Sequence, residues 1–196
     1  MVRNRRLKIR KGGGKPKGSG YEREVGEKIS LWLSHGEHKH LLCRTTGSGA
    51  QFTTHAKKNI QAGQAGDLMA QDPLAFNFCS RFVIECKSWK NLEIIKFLER
   101  IGGKDTLYEA LVKVKREGES VNKLWMLAAK QNWRRDLLFM PVKAFPENWL
   151  LPNSHPTLEW HTLFTNTVYM FYQNEFFKEV QSDWFVSKQR ELIPQR

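Results

Sequence analysis

Glu85-Cys86-Lys87 sets a carboxylate and an ammonium two residues apart, and Asp67 stands upstream after a glycine. From Arg81 to Lys87 the residue types alternate, with Phe82, Ile84 and Cys86 on one side and Val83, Glu85 and Lys87 on the other. Residues two apart on a strand share a face, so Glu85 and Lys87 are expected as neighbours on a rigid element. The strand's Phe-Val-Ile character places it inside a sheet, where charges need partners or a metal. Asp67 opens a second short apolar stretch, Leu68-Met69-Ala70. Two carboxylates from neighbouring strands can hold a hard cation such as Mg²⁺ through oxygen. The cation would stabilise charge on a phosphate and lower the pKa of a bound water. A lysine beside it can orient that water or meet the developing negative charge. These are the parts needed to hydrolyse a phosphodiester.

A pattern of Asp, then Glu-x-Lys, occurs by chance in many chains, so the elements around it carry weight. Val25, Ile29, Trp32 and Leu33 make one apolar stripe of a helix starting near Tyr21. Ser19 is the expected N-cap, Glu22 its capping-box partner, and Gly36 the stop. Glu22 falls at the edge of the buried stripe. Leu41 to Thr45 reads as a short strand ended by Gly47-Ser48-Gly49, and residues 50–66 as a loop. Ile94 to Lys115 has a helical pattern interrupted at Gly102-Gly103, with Leu107, Ala110, Leu111 and Val114 in its later stripe. Leu124 to Ala129 and Leu137 to Val142 read as strands joined by the basic turn Lys130 to Arg135. The expected fold is α/β, a central mixed β-sheet flanked by helices.

The chain has 196 residues and 40% apolar content, enough for one domain with a real core. Residues 1–20 are expected as a flexible basic arm, 21–145 as the core, and 146–196 as an aromatic-rich C-terminal extension. The arm holds Arg3, Arg5, Arg6, Lys8, Arg10, Lys11, Lys15 and Lys17 without an acid, and serves either solubility or phosphate contact. The extension's aromatics are expected in the core or at a dimer interface rather than as a stacking platform for bases. A net charge of +12 points to a polyanionic partner. With no basic amphipathic helix or apolar span for a membrane, nucleic acid is the expected partner. Cys43, Cys79 and Cys86 form no C-x-x-C pair, which fits reduced thiols in a cytoplasmic setting. His35, His38 and His40 read as a solvated turn rather than a metal site.

The ordered set of residues resembles the archaeal-type Holliday junction resolvases of the PD-(D/E)xK nuclease superfamily. The likeness begins at Lys17-Gly18 and Glu22-Arg23-Glu24. It passes through Gly36, Arg44, Gly47-Ser48-Gly49, Gly66-Asp67-Leu68-Met69-Ala70 and Ile84-Glu85-Cys86-Lys87-Ser88. It ends with the strand from Leu124 to Lys130, Trp133-Arg134 and the strand to Val142. The resemblance implies a restriction-endonuclease-like core and a homodimer acting on branched DNA. It implies catalytic roles for Glu22, Asp67, Glu85 and Lys87. Asp67, Glu85 and the Cys86 carbonyl would bind Mg²⁺, or Mn²⁺ in its place, with Glu22 joining directly or through water. Arg23, Arg44 and Ser48 match positions that contact DNA or support the reaction, and Lys57, Lys58 and Arg134 are further expected DNA contacts. The segment Ala50 to Ala65 is longer than the family's usual link, and the stretch Phe76 to Ser80 lengthens the hairpin before Glu85. Beyond Pro146 the chain has no counterpart in the resolvases. The expected activity is structure-selective DNA cleavage, with four-way junctions as the leading substrate. A restriction- or repair-type nuclease on duplex, flap or ends is the alternative, and an inactive DNA-binding module a second.

Overall fold

Alternating side chains along the strands sort the apolar residues into two layers, one on each face of a sheet. The computed structural model describes residues 14–45, 65–90, 106–146, 160–163 and 168–186. In chain order they form α1 (Gly14–Leu33), β1 (Leu42–Arg44), β2 (Leu68–Ala70), α2 (Phe76–Arg81), β3 (Phe82–Trp89) and α3 (Thr106–Ser120). There follow β4 (Leu124–Gln131), β5 (Leu137–Pro141), β6 (Trp160–Leu163), β7 (Val168–Tyr172), α4 (Gln173–Glu179) and α5 (Asp183–Val186). Five strands make a mixed sheet in the order β3-β4-β5-β7-β6, and β1 and β2 form a separate antiparallel pair. β3 and β4 run parallel, with Lys87 opposite Ala129. A parallel pair needs a crossover, and α3 lies within it. This is the expected central mixed sheet flanked by helices.

On one face of the sheet, Phe82, Ile84, Met126, Ala128, Leu138, Met140 and Phe171 pack against Val25, Ile29 and Trp32 of α1. On the other, Val83, Trp125, Leu127, Leu137, Phe139 and Met170 pack against Leu107, Ala110, Leu111 and Val114 of α3. Both helices present the apolar stripes expected from their spacing. Glu85 and Lys87 alternate with Phe82, Ile84 and Cys86, so their side chains emerge on the α3 face.

Three expectations are corrected. α1 starts at Gly14, so residues 14–20 are helical rather than part of an arm, and Ser19 lies inside the helix instead of capping it. Pro16 falls in the first turn, where a missing N–H leaves no intrahelical bond unmade. The segment before β3 is not a lengthened hairpin. It is a 3-10 turn at Pro73–Ala75, capped by the Asp72 carboxylate on the Leu74 N–H, running into α2. Phe78 on α2 is fully buried, which gives that segment its reason to be helical. The second strand of the basic hairpin stops at Pro141, and a 3-10 turn takes Val142. Residues 1–13, the Gly47-Ser48-Gly49 turn, residues 94–105, Trp149 and Phe164 lie outside the described residues.

The chain's late segment is woven into the core. Phe171, Phe176 and Phe185 are fully buried. Trp32 of α1 sits among Phe78, Phe176, Phe177 and Phe185 at centroid distances of 5.4–5.8 Å, and its indole N–H donates to the Val180 carbonyl at 2.6 Å. Gln173 is buried and donates to the Tyr21 hydroxyl at 2.7 Å and to the Leu137 carbonyl at 3.0 Å. The segment thereby fixes the residue next to Glu22. The three cysteines are free thiols. His35, His38 and His40 are exposed, as expected of a polar turn. Among the described residues, no helix is long and apolar enough to cross a membrane.

Candidate active site

Asp67 reaches its place through the backbone beside it. Gly66 has φ +85°, and a Cβ there would lie 2.7 Å from the Ile84 carbonyl oxygen and 2.9 Å from its nitrogen. Only glycine accepts both the left-handed conformation and that approach. The Asp67 N–H then donates to the Ile84 carbonyl at 2.7 Å, and the Asp67 carboxylate accepts from the Cys86 N–H at 2.8 Å. Asp67 precedes β2 rather than lying on a strand paired with β3, so these two bonds are what join it to Glu85's strand. In a strand, a residue's N–H and C=O point to the same side, and residues two apart repeat that side. The peptide groups of Ile84 and Cys86 therefore both face Asp67, away from β4. The Cys86 carbonyl opens onto the same edge as the Asp67 carboxylate.

Glu85 is 1% exposed and Asp67 3%. Lys87 Nζ donates to Glu85 Oε1 and lies 3.9 Å from Asp67 Oδ2. A second lysine, Lys113 of α3, donates to the same Glu85 oxygen at 2.7 Å. Lys113 also pairs with Glu117 at 3.3 Å, and Glu117 is itself buried with Oε2 left without a hydrogen-bond partner. Glu22 comes from α1 on another side, buried, and accepts from Arg44 Nε.

Burial, and then the charge of Glu85, push the Asp67 carboxyl up to about 7, against the pull of Lys87 and the Cys86 N–H. Glu22 adds a smaller push in the same direction. Burial also acts to raise Glu85, but Lys87 and Lys113 outweigh it and hold Glu85 below the usual carboxylate range. Burial and the neighbouring Glu85 raise Glu117. The site therefore gathers more buried negative charge than its cations neutralise, with the shortfall at Asp67. That imbalance favours a further cation. The groups that would hold such an ion, the two carboxylates and the Cys86 carbonyl, offer oxygen, which suits a hard divalent cation and not a soft metal. Among the described residues, no group of three or more His, Cys, Asp or Glu gathers at metal-binding distance. The arrangement fits an ion held partly by protein and partly by water and substrate, as Mg²⁺ usually is.

Glu22, Asp67, Glu85, Lys87, Cys86 and Arg44 thus come together. Arg23 is apart from them, exposed on α1 and donating back to the Ser19 carbonyl at 3.1 Å. Arg134 is exposed on the β4–β5 turn. Ser48, Lys57 and Lys58 lie outside the described residues. Lys113 and Glu117 did not stand out in the sequence. One signal was available: Glu117 falls seven residues after Ala110 and three after Val114, a charge on an apolar stripe.

A sheet whose β3 carries Glu-x-Lys, with an aspartate docked against its edge, is the core of a PD-(D/E)xK nuclease, restriction-endonuclease-like in architecture. A family profile described as "Phage putative PDDEXK endonuclease" matches residues 13–187, and the chain belongs to that family. The match supports the PD-(D/E)xK nuclease superfamily and not the archaeal-type resolvases in particular. It takes in most of the aromatic segment that follows Pro146. No curated protein and no solved structure matches the chain.

Proposed function

We propose that this chain is a divalent-metal-dependent DNA endonuclease that selects branched DNA, with the four-way junction as its leading substrate. The observation that carries the chemistry is the buried pairing of Asp67 with Glu85 and Lys87 at the open edge of β3. Asp67, Glu85 and the Cys86 carbonyl would hold Mg²⁺, with Mn²⁺ able to replace it, and Glu22 would join directly or through water. The bound ion supplies charge stabilisation at the phosphate and a more acidic water. Lys87 then has two tasks open to its geometry: orienting the attacking water, or meeting charge on the phosphate oxygens. Water adds across one P–O bond, and the strand ends as a phosphate and a hydroxyl. Arg44 is positioned by Glu22 at the rim, where its exposed side can meet a phosphate. A homodimer would bring two such sites to two strands.

The choice of a branched substrate is supported by the ordered likeness to the resolvases from Lys17 to Val142. The same core serves restriction and repair nucleases, because the metal site does not fix the substrate. A panel of labelled four-way junction, flap and linear duplex, with and without Mg²⁺, tests the reading. The expected result is cutting of the junction in preference to the duplex, only with metal. Preference for one duplex sequence would replace the junction with a restriction-type target. If every DNA stayed intact while binding persisted, the chain would be an inactive DNA-binding module.

A further inference from the structure

Trp133 is fully exposed, at 100% of its accessible surface, and its φ is +63°. Each fact is unusual for tryptophan. The indole is among the most costly side chains to leave in water, and a bulky residue at positive φ is a backbone outlier. The Arg134 N–H donates to the Gln131 carbonyl at 3.3 Å, closing a four-residue turn. Trp133 occupies the third place of that turn, where a positive φ calls for Gly or Asn. Strain kept at one exposed residue points to use of its side chain.

The turn is held firmly at its feet. Arg135 lies over the Tyr172 ring at 3.3 Å and pairs with Glu175 at 2.7 Å. Lys130 pairs with Glu24 of α1 at 2.7 Å and lies 5.3 Å from the Tyr21 ring centre. The indole is thus presented by a fixed hairpin. Its location follows from register: Lys87 stands opposite Ala129, β4 runs two residues further to Gln131, and Trp133 lies in the turn that follows at that end of the strand. Two residues at about 3.3 Å each put the end of β4 roughly 7 Å beyond the level of the active-site lysine, so the turn stands at the same end of the sheet. Arg134 stands exposed beside it, while Lys130 and Arg135 are held in ion pairs with Glu24 and Glu175, in a chain of net charge +12.

We propose that Trp133 is a stacking platform for an unpaired or unstacked base at a DNA branch point, and so a determinant of structure selectivity. The inference rests on the nuclease reading and names what that reading leaves open. In continuous duplex both faces of every base are already stacked, and an indole finds no open face. At a gap, a flap or the centre of a junction a face is open, and stacking does not depend on which base presents it. Arg134, exposed in the same turn, holds the backbone that brings the base there.

The test is binding without cleavage, by fluorescence anisotropy in EDTA. The probes are a labelled duplex with a two-nucleotide gap, a four-way junction and the uninterrupted duplex. Wild type is expected to prefer the interrupted DNAs. Trp133→Ala should lose about tenfold in affinity for them and nothing for the duplex, while Trp133→Phe keeps most of the preference. Arg134→Ala should weaken all three alike, as a phosphate contact does. Because the indole is fully exposed, these variants fold, and Trp133→Gly should melt no lower than wild type. Equal loss on all DNAs, or no loss on any, overturns the proposal. A change in sedimentation with unchanged DNA preference also overturns it, and makes the residue a contact between copies. Wild type that binds none of the DNAs defeats the nuclease reading as well, which separates the two failures.

Discussion

At the residue scale, the site is a problem of charge in a dry place, and Lys113 is part of its solution. It shares the Glu85 oxygen with Lys87 and is itself anchored by Glu117. Partners that hold a metal-binding carboxylate commonly matter about as much as 10- to 100-fold in activity or metal affinity. Lys113→Met is therefore expected to lower cleavage by about 10- to 100-fold, with DNA affinity unchanged and partial recovery in Lys113→Arg. Cleavage by Lys113→Met at the wild-type rate would show that Lys87 alone suffices. Asp67 gives a second prediction. With its carboxyl pushed up to about 7 by burial and by Glu85, a proton competes with the cation below that pH. Mn²⁺ affinity, followed by calorimetry, should fall about tenfold for each pH unit below 7 and level off above 8. An ordinary aspartate, titrating near about 4, would leave affinity flat over that range. A flat profile would mean that Asp67 is ionised before the metal arrives.

At the element scale, β3 is the part most plainly written in the sequence. Its alternation sorted Phe82, Ile84 and Cys86 from Val83, Glu85 and Lys87, and the two faces pack as that alternation requires. The stripe on α1 likewise located Glu22 at a buried edge. What could not be read was how elements distant in sequence meet. Asp67 was visible as a residue but not as a carboxylate capping the Cys86 N–H, because that contact depends on a glycine turn docking on β3. Lys113 and Glu117 needed the crossover helix to be laid over the correct face. The start of α1 was hidden because a glycine-rich, basic stretch has low helix propensity by itself. The Gly66 turn supplies a direct check. Gly66→Ala forces a Cβ to within 2.7 Å of the Ile84 carbonyl at a positive φ. It should cost about 1–3 kcal/mol in thermal or denaturant unfolding. Because Asp67 moves with it, metal binding should suffer too. A variant as stable and active as wild type would mean that the docking of Asp67 on β3 is not required.

At the scale of the whole molecule, the described aromatic segment is structural, and the net charge of +12 suits a polyanionic partner. Phe171, Phe176 and Phe185 enter the same core as α1 and β3, so the late strands and helices brace the elements that carry the site. The sequence favours core or dimer interface over a stacking surface for these aromatics but does not choose between the first two, since spacing alone does not say which elements the segment meets. α1 begins at Gly14, which defines a clean truncation of residues 1–13 with Arg3, Arg5, Arg6, Lys8, Arg10 and Lys11. If a dimer neutralises about ten phosphates, log K should fall with log salt at a slope of roughly −9. The truncated chain should give a shallower slope in the same titration, and an unchanged slope would show that these residues do not touch DNA.

The central claim is that Asp67, Glu85 and Lys87 together form a metal-dependent hydrolytic site. Single-turnover cleavage of a labelled four-way junction, at saturating protein and across a Mg²⁺ titration, tests it most directly when wild type is run beside Asp67→Asn. The account predicts metal-dependent cutting by wild type. It also predicts a loss of about a hundredfold or more in the variant, as for removal of a directly acting group, with junction affinity kept. Cutting by Asp67→Asn at the wild-type rate, or cutting by wild type that proceeds equally in EDTA, would contradict it.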